Sequence, residues 1–451
     1  MLKRLLLVFL LLLLAISPLS SLPDKDQPVD VLVLSGAILP ITATYVIRGI
    51  DQAERDNAIC VIQMDTPGGL SDSMDEIIKK INSSTVPVVV YVYPHGARAA
   101  SAGTYIMYAA HVAAMCPVSN MGSAHPVFIG GGGSSPGKED EGKDKKEKPK
   151  SQDEIMSEKV TNDAVAKIKS LAEKRHRNAQ WAEKAVRESV NITASEALKL
   201  NVIDLVAENM DDLLKKLDGR VVELPNGKVT LHPGKGPYKT IPMSSIESFL
   251  AVISNPSIAL VLMSIGSLAL IYELASPGAI LPGIVGVICL ILAFYSLGSL
   301  PINYAGLGLV IFSLILFIAD VFATSHGFLT AGGIISFILG ASMLIPAGYP
   351  YLSVSWYLIG AMALTMGGFF GFVITMVIKA QRKKSITGRE GLVGSLAEAR
   401  TDLSPEGTIF LMGELWRARS VSGTISKGSL VKVKTVKGLR VTVEPAKEED
   451  K

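Results

Sequence analysis

Hydrophobic residues follow three successive patterns along the 451-residue chain. Between residues 29 and 209, apolar runs of strand length alternate with segments in which apolar residues recur at helical spacing. Residues 256–378 are almost continuously apolar, and after residue 385 short alternating runs are separated by turn residues. We therefore predict an α/β domain, then a multi-span α-helical membrane domain, then a small all-β domain.

The first region predicts a mainly parallel sheet covered by helices, because strands alternate with helices as in βαβ units. The predicted strands are Val29–Leu34, Ala58–Met64, Val86–Tyr93 and Val112–Cys116. The predicted helices are Ile41–Ala53, Ser71–Ile81, Ala102–Ala110, a long helix from about Asp153 to Lys174, Trp181–Val186 and Ala194–Leu200.

The apolar region contains two charged residues, Glu273 and Asp320, and both lie near predicted span ends, where a helix-end contact is favoured over a functional role. At about 1.5 Å per residue, every span is expected to cross an apolar core about 30 Å thick, although the fourth is short enough to be re-entrant. Turn residues divide the region into five predicted spans, near 256–275, 279–299, 304–324, 328–346 and 355–378.

The two ends of the chain predict the membrane topology. Residues 1–22 have a basic start, an apolar run and then small residues, which is typical of a secretory signal. A basic cluster, Lys379–Lys384, follows the last span, and such clusters stay on the cytoplasmic side. Five spans then place residues 23–255, with a net charge of −3, outside the cell, and residues 379–451, with a net charge of +6, inside.

Composition supports this division. Of the 85 charged residues, 83 lie outside residues 256–378 and make up about 25% of that remainder, the usual value for soluble domains. The chain is therefore neither a wholly soluble enzyme nor mainly disordered, since disorder requires low hydrophobicity. Cys60 and Cys116 lie in apolar runs and are predicted to be buried free thiols. We predict no metal and no cofactor.

Three loops rich in small residues follow predicted strand ends, at 65–69, 94–103 and 119–123. Ligands of open α/β sheets bind outside the carboxyl ends of the strands, so these loops are predicted to form a site. Ser101 stands at a helix start, beside the unpaired amide of Ala102. A hydroxyl near converging amides fits acyl transfer, but residue chemistry by itself favours Ser101 as a simple helix cap.

A serine nucleophile also needs a base. His95, His111 and His125 are close in sequence, but each is more typical of a hydrogen-bonded core or loop residue. A lysine can serve where burial or a positive neighbour favours its neutral form. Residue chemistry leaves the identity of the base open.

Three segments, Asp65–Gly69, Ala99–Tyr105 and Met121–Pro126, together resemble the NfeD family of membrane-bound proteases, which have a ClpP-like domain. The resemblance extends over nearly the whole chain, in the order signal, ClpP-like domain, membrane region and small β domain. It implies a Ser–Lys dyad and acyl-enzyme chemistry. The implied site comprises Ser101 and Lys159 as catalytic residues, Gly69 and Ala102 as the oxyanion hole, and Gly68, Gly122 and Ser123 in substrate binding.

Lys167 is an alternative to Lys159 as the catalytic base. A helical wheel of residues 153–172 favours Lys167, which lies nearer the middle of the apolar face. The family match and a position near the helix start, where the positive potential disfavours a cation, favour Lys159. The preceding segment, 130–153, is a predicted flexible insertion, interpreted either as a mobile flap over the site or as a surface insertion.

The C-terminal region predicts a small OB-like barrel, which the family also implies. Nucleic-acid binding is not expected, because Phe410 and Trp416 are its only aromatic residues; protein docking is favoured. The predicted strands are Leu392–Ala397, Gly407–Leu411, Glu414–Ala418, Leu430–Thr435 and Leu439–Val443.

The predicted domains are a signal sequence at 1–22, a ClpP-like serine protease domain at 23–245, a membrane domain of about five spans at 246–380 and an OB-like domain at 385–451. We predict a membrane-anchored serine endopeptidase that cleaves apolar segments of stomatin-like membrane partners and forms a homo-oligomer. Two alternatives are a non-enzymatic scaffold for stomatin-like proteins and a crotonase-type CoA-thioester enzyme, whose fold shares the βαβ order and the glycine-rich loops.

Overall fold

The computed structural model describes residues 26–127, 152–234, 236–275, 280–323, 327–346, 352–382 and 391–446. The predicted signal and residues 130–151 of the predicted insertion lie outside these described residues, while residues 152 and 153 begin a helix. The chain divides into two compact units. One runs to residue 366 without residues 323–327, and the other consists of residues 323–327 and 367–451.

The α/β domain contains a six-stranded parallel sheet with the strand order β11-β1-β2-β3-β5-β8, which confirms the predicted parallel sheet. A small sheet, β4-β6-β7, lies beside it, and β9 and β10 form a hairpin. The strands are β1 (Val29–Ser35), β2 (Ile59–Asp65), β3 (Val88–Val92), β4 (Arg98–Ala100), β5 (Val112–Met115), β6 (Asn120–Gly122), β7 (Asn191–Thr193), β8 (Leu205–Val206), β9 (Val221–Leu224), β10 (Gly227–Thr230) and β11 (Lys239–Thr240).

Helices cover both faces of this sheet. Val88–Val92 is buried at every position, as expected of a central strand covered on both sides. One apolar core lies beneath helices α1 to α6, and a second lies beneath α7 and the β9–β10 hairpin. The helices are α1 (Pro40–Asp56), α2 (Ser71–Ser83), α3 (Ala102–Ala109), α4 (Gln152–Lys174), α5 (Ala179–Arg187), α6 (Ala194–Lys199), α7 (Met210–Leu217) and α8 (Ser245–Ile253).

Five apolar helices follow, where five spans are predicted. Two contain stretches long and apolar enough to cross a membrane, Pro256–Leu274 and Leu281–Gly298. The apolar parts of the other three are 17 residues or fewer, shorter than the sequence analysis expects. The helices are α9 (Pro256–Ala275), α10 (Leu281–Gly298), α11 (Tyr304–Phe322), α12 (Phe328–Met343) and α13 (Trp356–Arg382).

Glycines bring the apolar helices together in two hairpins, α9–α10 and α11–α12. A Cβ on Gly286 would lie 2.9 Å from the carbonyl oxygen of Gly266, and a Cβ on Gly340 would lie 2.7 Å from the amide nitrogen of Val310. Small residues at such crossings allow close backbone approach, which is how helices associate in lipid. Both hairpins therefore depend on the absence of side chains at these positions.

The two carboxylates of the apolar region, Glu273 and Asp320, each contact the neighbouring helix of their hairpin. Asp320 is buried and accepts hydrogen bonds from the amide, at 3.2 Å, and from the hydroxyl group of Thr330 in the first turn of α12. The first amides of a helix lack intrahelical acceptors, so Asp320 stabilises the start of α12. Glu273 packs against Gly283, whose Cβ would lie 3.1 Å from the Glu273 side chain.

The α/β domain and the apolar helices meet in a small hydrophobic cluster. Its buried members come from the start of α1 and from the segments that follow α10, follow α12 and precede α13. These ends therefore lie on one side of the helical region, next to α1. The buried residues of the cluster are Leu39, Ile41, Leu300, Ile345 and Leu352, with Leu70 and Leu250 packed against them.

The C-terminal unit contains a closed five-stranded barrel, β12-β13-β14-β16-β15, which confirms the OB-like prediction. Its first strand begins later than predicted, because residues 391–394 form a turn in which Gly394 has a φ of +90°. Trp416 packs against the barrel core. The strands are β12 (Leu396–Ala399), β13 (Glu406–Leu411), β14 (Glu414–Ser420), β15 (Leu430–Lys437) and β16 (Arg440–Pro445).

Candidate active site

Ser101 lies directly before α3 with a φ of 50° and a ψ of −115°, a conformation that residues with a Cβ rarely adopt. Its amide donates to the Gly122 carbonyl at 2.9 Å, and its carbonyl accepts from the Thr104 amide at 2.9 Å. Such strain costs about 1–3 kcal/mol and persists only where the surroundings impose it. Within the described residues, the Ser101 side chain makes no capping hydrogen bond, so the interpretation of Ser101 as a simple helix cap is wrong.

Gly68 lies against the Ser101 side chain. Its φ is +112°, and a Cβ on it would be 2.6 Å from the Cβ and 3.2 Å from the Oγ of Ser101. The Gly68 amide is occupied, since it donates to the Thr66 hydroxyl at 3.0 Å. Gly68 is thus a spacer that lets the backbone approach Ser101, rather than an amide donor.

The amide of Gly69 points in a different direction. Ile38 pairs with this segment through its amide, which donates to the Gly68 carbonyl, and its carbonyl, which accepts from the Leu70 amide, both at 2.9 Å. In parallel pairing, the residue between these two bonds directs its own amide away from the partner strand. The Gly69 amide therefore faces away from Ile38.

The other side of this segment is where Ser101 lies. Thr66 pairs with β4, accepting from the Ala100 amide at 3.1 Å, and β4 leads directly into Ser101. Ala102 is the first residue of α3, so its amide has no intrahelical acceptor. The two amides predicted for an oxyanion hole, Gly69 and Ala102, thus lie on the two chain segments that meet at Ser101.

Gly122 and Ser123 complete this side of the site. Strand β6 runs parallel to β4 and ends at Gly122, whose φ is +141° and whose Cβ would lie 2.2 Å from the Val190 carbonyl oxygen. The Ser123 hydroxyl accepts from Asn191 at 2.9 Å. The structure therefore brings together six predicted site residues: Ser101, Gly68, Gly69, Ala102, Gly122 and Ser123.

The predicted base is not joined to them by a contact. Lys159 is exposed on α4, and among the described residues no hydrogen bond or ion pair links it to Ser101. The competing lysine has a different partner, since the Lys167 ammonium group lies 2.9 and 2.8 Å from the two carboxylate oxygens of Asp75 on α2. Lys167 is therefore engaged in an ion pair.

The three histidines have partners outside the site. The His95 ring contacts the Pro117 carbonyl and the His125 ring contacts the Val186 carbonyl, at 3.0 and 2.9 Å. The buried His111 ring accepts from the Val88 amide at 3.1 Å, and burial, with nearby Arg175, lowers its pKa to about 3. The loop or core role expected of all three histidines is what the structure shows.

Two residues that the sequence analysis does not single out hold α3 in place. The Thr104 hydroxyl lies 2.9 Å from the Gly122 carbonyl and accepts from the Gly122 amide at 3.1 Å. The buried Arg177 guanidinium donates to three carbonyls at the end of α3 and pairs with Asp204 at 2.6 Å. A cation at a helix C-terminus is stabilising. No sequence spacing marks Arg177, because its carbonyl partners are 67–70 positions away and Asp204 is 27 positions away.

The described residues contain no cluster of three or more His, Cys, Asp or Glu side chains that could hold a metal ion. Cys60 and Cys116 are buried and free, as predicted, and burial raises the pKa of the Cys60 thiol. The arrangement at Ser101 is thus a hydroxyl group on a strained backbone, between two segments that present amides. This arrangement can stabilise a tetrahedral oxyanion formed by attack on a carbonyl.

Three family models match successive parts of the chain. They are the NfeD1b N-terminal domain at residues 31–224, the NfeD integral membrane domain at 257–376 and the NfeD-like C-terminal, partner-binding domain at 389–445. The membrane-bound protease PH1510 of Pyrococcus horikoshii is 36% identical over 451 residues, covering 98% of each chain. The chain belongs to the NfeD family.

Other members of the NfeD family and their structures are also similar. Membrane protein NfeD1b of Bacillus subtilis is 28% identical over 473 residues, covering 97% of this chain and 96% of the relative. A solved structure, the 1510-N membrane protease specific for a stomatin homologue from Pyrococcus horikoshii, is 34% identical. It covers 51% of this chain and 99% of its own, with a TM-score of 0.41. NfeD family membership makes this chain a membrane protein, in agreement with the two helices of membrane-spanning length among the described residues.

Proposed function

We propose that the chain is a membrane-anchored serine endopeptidase that acts through an acyl-enzyme. The observation that carries the proposal is the strained Ser101 backbone, which holds the hydroxyl beside Gly68 and between the segments of Gly69 and Ala102. A protein gains nothing in folding from such strain, but a nucleophile gains a fixed position. The 36% identity to a membrane-bound protease over the whole chain supports the same reaction class.

In the proposed mechanism, Lys159 as a neutral amine removes the Ser101 hydroxyl proton, and the oxygen attacks a peptide carbonyl. The amides of Gly69 and Ala102 donate to the oxyanion. The protonated lysine then gives its proton to the leaving amine, and an acyl-Ser101 ester remains. Water, deprotonated by the same amine, hydrolyses the ester and restores both groups.

The direction of two helices supports Lys159 as the base. Near the end of α4, the Arg175 guanidinium donates to the Ala109 carbonyl at the end of α3. Further back along α4, Asp163 lies near enough to Tyr105 on α3 for its charge to add to burial and to the charge of Asp75 in raising the pKa of that phenol. The two helices therefore run in the same general direction, and their first residues lie towards the same end. Ser101 precedes α3, and Lys159 lies four residues before Asp163.

The substrate and the topology are also proposals. We propose that the substrate is an apolar segment of a stomatin-like membrane protein, the class that the family resemblance implies. The protease domain is proposed to lie outside the cytoplasm and the C-terminal barrel inside, where it docks a protein partner. A homo-oligomer stays a prediction.

The test compares four full-length proteins in detergent: the parent, Ser101→Ala, Lys159→Ala and Lys167→Ala. Two rates are measured, acylation by a serine-directed fluorophosphonate probe and cleavage of an apolar peptide. We expect Ser101→Ala to lose both activities and Lys159→Ala to lose about 10²–10⁴-fold, the usual contribution of a general base. Lys167→Ala is the matched control and is expected to keep the parent rate.

Each competing interpretation has its own outcome. Equal rates in all four proteins would eliminate the dyad, and loss in Lys167→Ala alone would move the base to Lys167. Turnover of acyl-CoA thioesters without peptide cleavage would indicate the crotonase-type enzyme. Full complementation of a gene deletion by Ser101→Ala would indicate the scaffold.

A further inference from the structure

Helix α8 is fixed to the α/β domain along one face. Its Glu247 carboxylate is buried and accepts two hydrogen bonds from the Arg48 guanidinium of α1, at 2.7 and 2.8 Å. Ser244 caps the helix, since its hydroxyl accepts from the Glu247 amide at 3.2 Å. A bidentate, partly buried pair of this kind fixes the relative orientation of the two side chains as well as attracting them, so α8 has a defined orientation on the domain.

The opposite face of α8 is apolar and uncovered. Ile246, Phe249 and Val252 are 72%, 54% and 61% exposed. At intervals of three residues they form a stripe along one side of the helix. We call these three residues the α8 stripe. A soluble domain usually buries such a stripe, so the stripe has a partner that is absent from the isolated chain.

The surroundings of α8 identify the partner as lipid. Only Ser254 and Asn255 separate α8 from α9, the first helix of membrane-spanning length. The Ile253 carbonyl at the end of α8 accepts from the Ser296 hydroxyl near the end of α10, at 2.6 Å. The stripe therefore lies at the level where two membrane helices reach the water interface, which is where amphipathic helices insert their apolar faces.

The same region is connected to the candidate active site. Leu39 and Ile41 pack against Leu300, Ile345 and Leu352 at the ends of the apolar helices. The residue before Leu39, Ile38, pairs with the Gly68–Leu70 segment that presents the Gly69 amide. The residue that contacts the apolar helices, Leu39, is thus directly adjacent to Ile38, which pairs with the oxyanion segment.

We propose that the α8 stripe lies in the lipid interface and holds the Ser101 site at the membrane surface, so that the site acts on polypeptide where it leaves the bilayer. The proposed lipid contact is supported by the structure of α8 alone. The second part rests on the proposed protease function and specifies its substrate class as a juxtamembrane segment rather than a free soluble peptide.

Lipid contact is tested with two matched valines. Val252 in the stripe and Val221 on β9 are both 61% exposed, but β9 packs on the face of the sheet opposite α1. Val252→Trp and Val221→Trp are made in the full chain and placed in nanodiscs of phosphatidylcholine with plain or brominated acyl chains. Emission is taken as the difference from the parent chain, which has three tryptophans.

We expect bromine to quench the Val252→Trp difference emission by about twofold or more, as for a side chain at the acyl boundary, and to leave Val221→Trp unchanged. Equal intensity of Val252→Trp in both lipids would overturn the proposal. An unquenched, blue-shifted emission accompanied by the mass of a dimer would also overturn it, because a second copy would then cover the stripe.

The positioning role is tested with Phe249→Glu, which places a charge in the stripe away from the catalytic groups. We expect a loss of about tenfold in cleavage of a peptide anchored in the same nanodisc, with unchanged cleavage of the soluble peptide. An equal loss on both substrates would reject positioning at the membrane. If the parent cleaves neither peptide, the proposed function fails, while the quenching result still decides the lipid contact.

Discussion

At the scale of single residues, the site depends on glycines, which have no Cβ atom. Gly68 and Gly96 both have positive φ values, +112° and +84°, so a Cβ strains both backbones. Only at Gly68 would the Cβ also enter the space of Ser101, at 2.6 Å from its Cβ; at Gly96 it would meet open space. Alanine substitutions at Gly68 and Gly96 therefore distinguish the effect of backbone strain from the effect of a Cβ placed against Ser101.

We predict that Gly68→Ala lowers kcat for an apolar peptide by about 10²-fold or more, the magnitude expected when an oxyanion donor or its neighbour is displaced. Gly96→Ala is expected to lower stability by about 1 kcal/mol and to keep kcat within about twofold. The measurements are steady-state kinetics and thermal unfolding of both variants. A similar fall in kcat for both would mean that Gly68 acts through folding rather than through Ser101.

The sequence predicts the contents of the site better than its geometry. The loops that carry Ser101 and the glycines could be found because turns and close approaches require specific residue types, whereas the role of Ser101 as nucleophile came from the family resemblance and stays a prediction. The choice between Lys159 and Lys167 could not be made from a wheel, because an apolar face does not show that Asp75, 92 positions away, pairs with Lys167. Arg177 was missed for the same reason, since its partners lie far from it in sequence.

At the scale of elements, long and strongly patterned segments were predictable. The central strands and the helices α1 to α4 appear near their predicted positions, because their apolar spacing is set by burial on the sheet. The three-residue strands β4, β6 and β7 were not predicted, because such short strands have no period of their own and form by pairing around Ser101. Helices α7 and α8 were not predicted, because they lie beyond residue 209, where the alternating α/β pattern ends.

The α11–α12 hairpin offers a test at this scale. Gly340 and Gly308 both lie in it, but a Cβ on Gly340 would meet the Val310 backbone at 2.7 Å, whereas a Cβ on Gly308 would meet nothing within 4 Å. We predict that Gly340→Leu separates the helices and lowers the apparent unfolding temperature by about 4 °C or more, while Gly308→Leu changes it by less than about 1 °C. Fluorescence-detected size-exclusion chromatography after heating measures both values. Equal shifts would show that the close crossing contributes nothing to stability.

At the scale of the whole molecule, several ends of the apolar helices lie beside the α/β domain. Segments at the start of α9, the end of α10, the end of α12 and the start of α13 all lie beside the α/β domain. Each hairpin thus returns the chain to the side from which it started, and α13 begins there as the last helix. The cytoplasmic location that the basic cluster predicts for the C-terminal segment stays a proposal, and labelling from outside the cell can test it.

We predict that in intact cells a membrane-impermeant maleimide labels Val221→Cys but not Leu439→Cys, and that both are labelled after permeabilisation. Val221 and Leu439 are 61% and 80% exposed, and the native Cys60 and Cys116 are buried. Cys289 of α10 is partly exposed, so the parent chain is labelled in parallel as the background. Labelling is read from the mass shift of the purified protein. Labelling of both sites in intact cells would place the two domains on one side and exclude five crossings.

The edge strand β11 has a consequence for the order in which the molecule is made. It pairs with β1, and the Tyr45 hydroxyl of α1 donates to the Ile241 carbonyl, which is 196 positions later. The sheet beneath Ser101 is therefore incomplete until Ile241 has been synthesised and has reached the domain. By then the ribosome is translating the apolar helices, since α9 begins at Pro256. A nascent chain released early would lack both the sheet edge and the apolar helices, so the order of synthesis delays the assembly of the candidate site until those helices are being made.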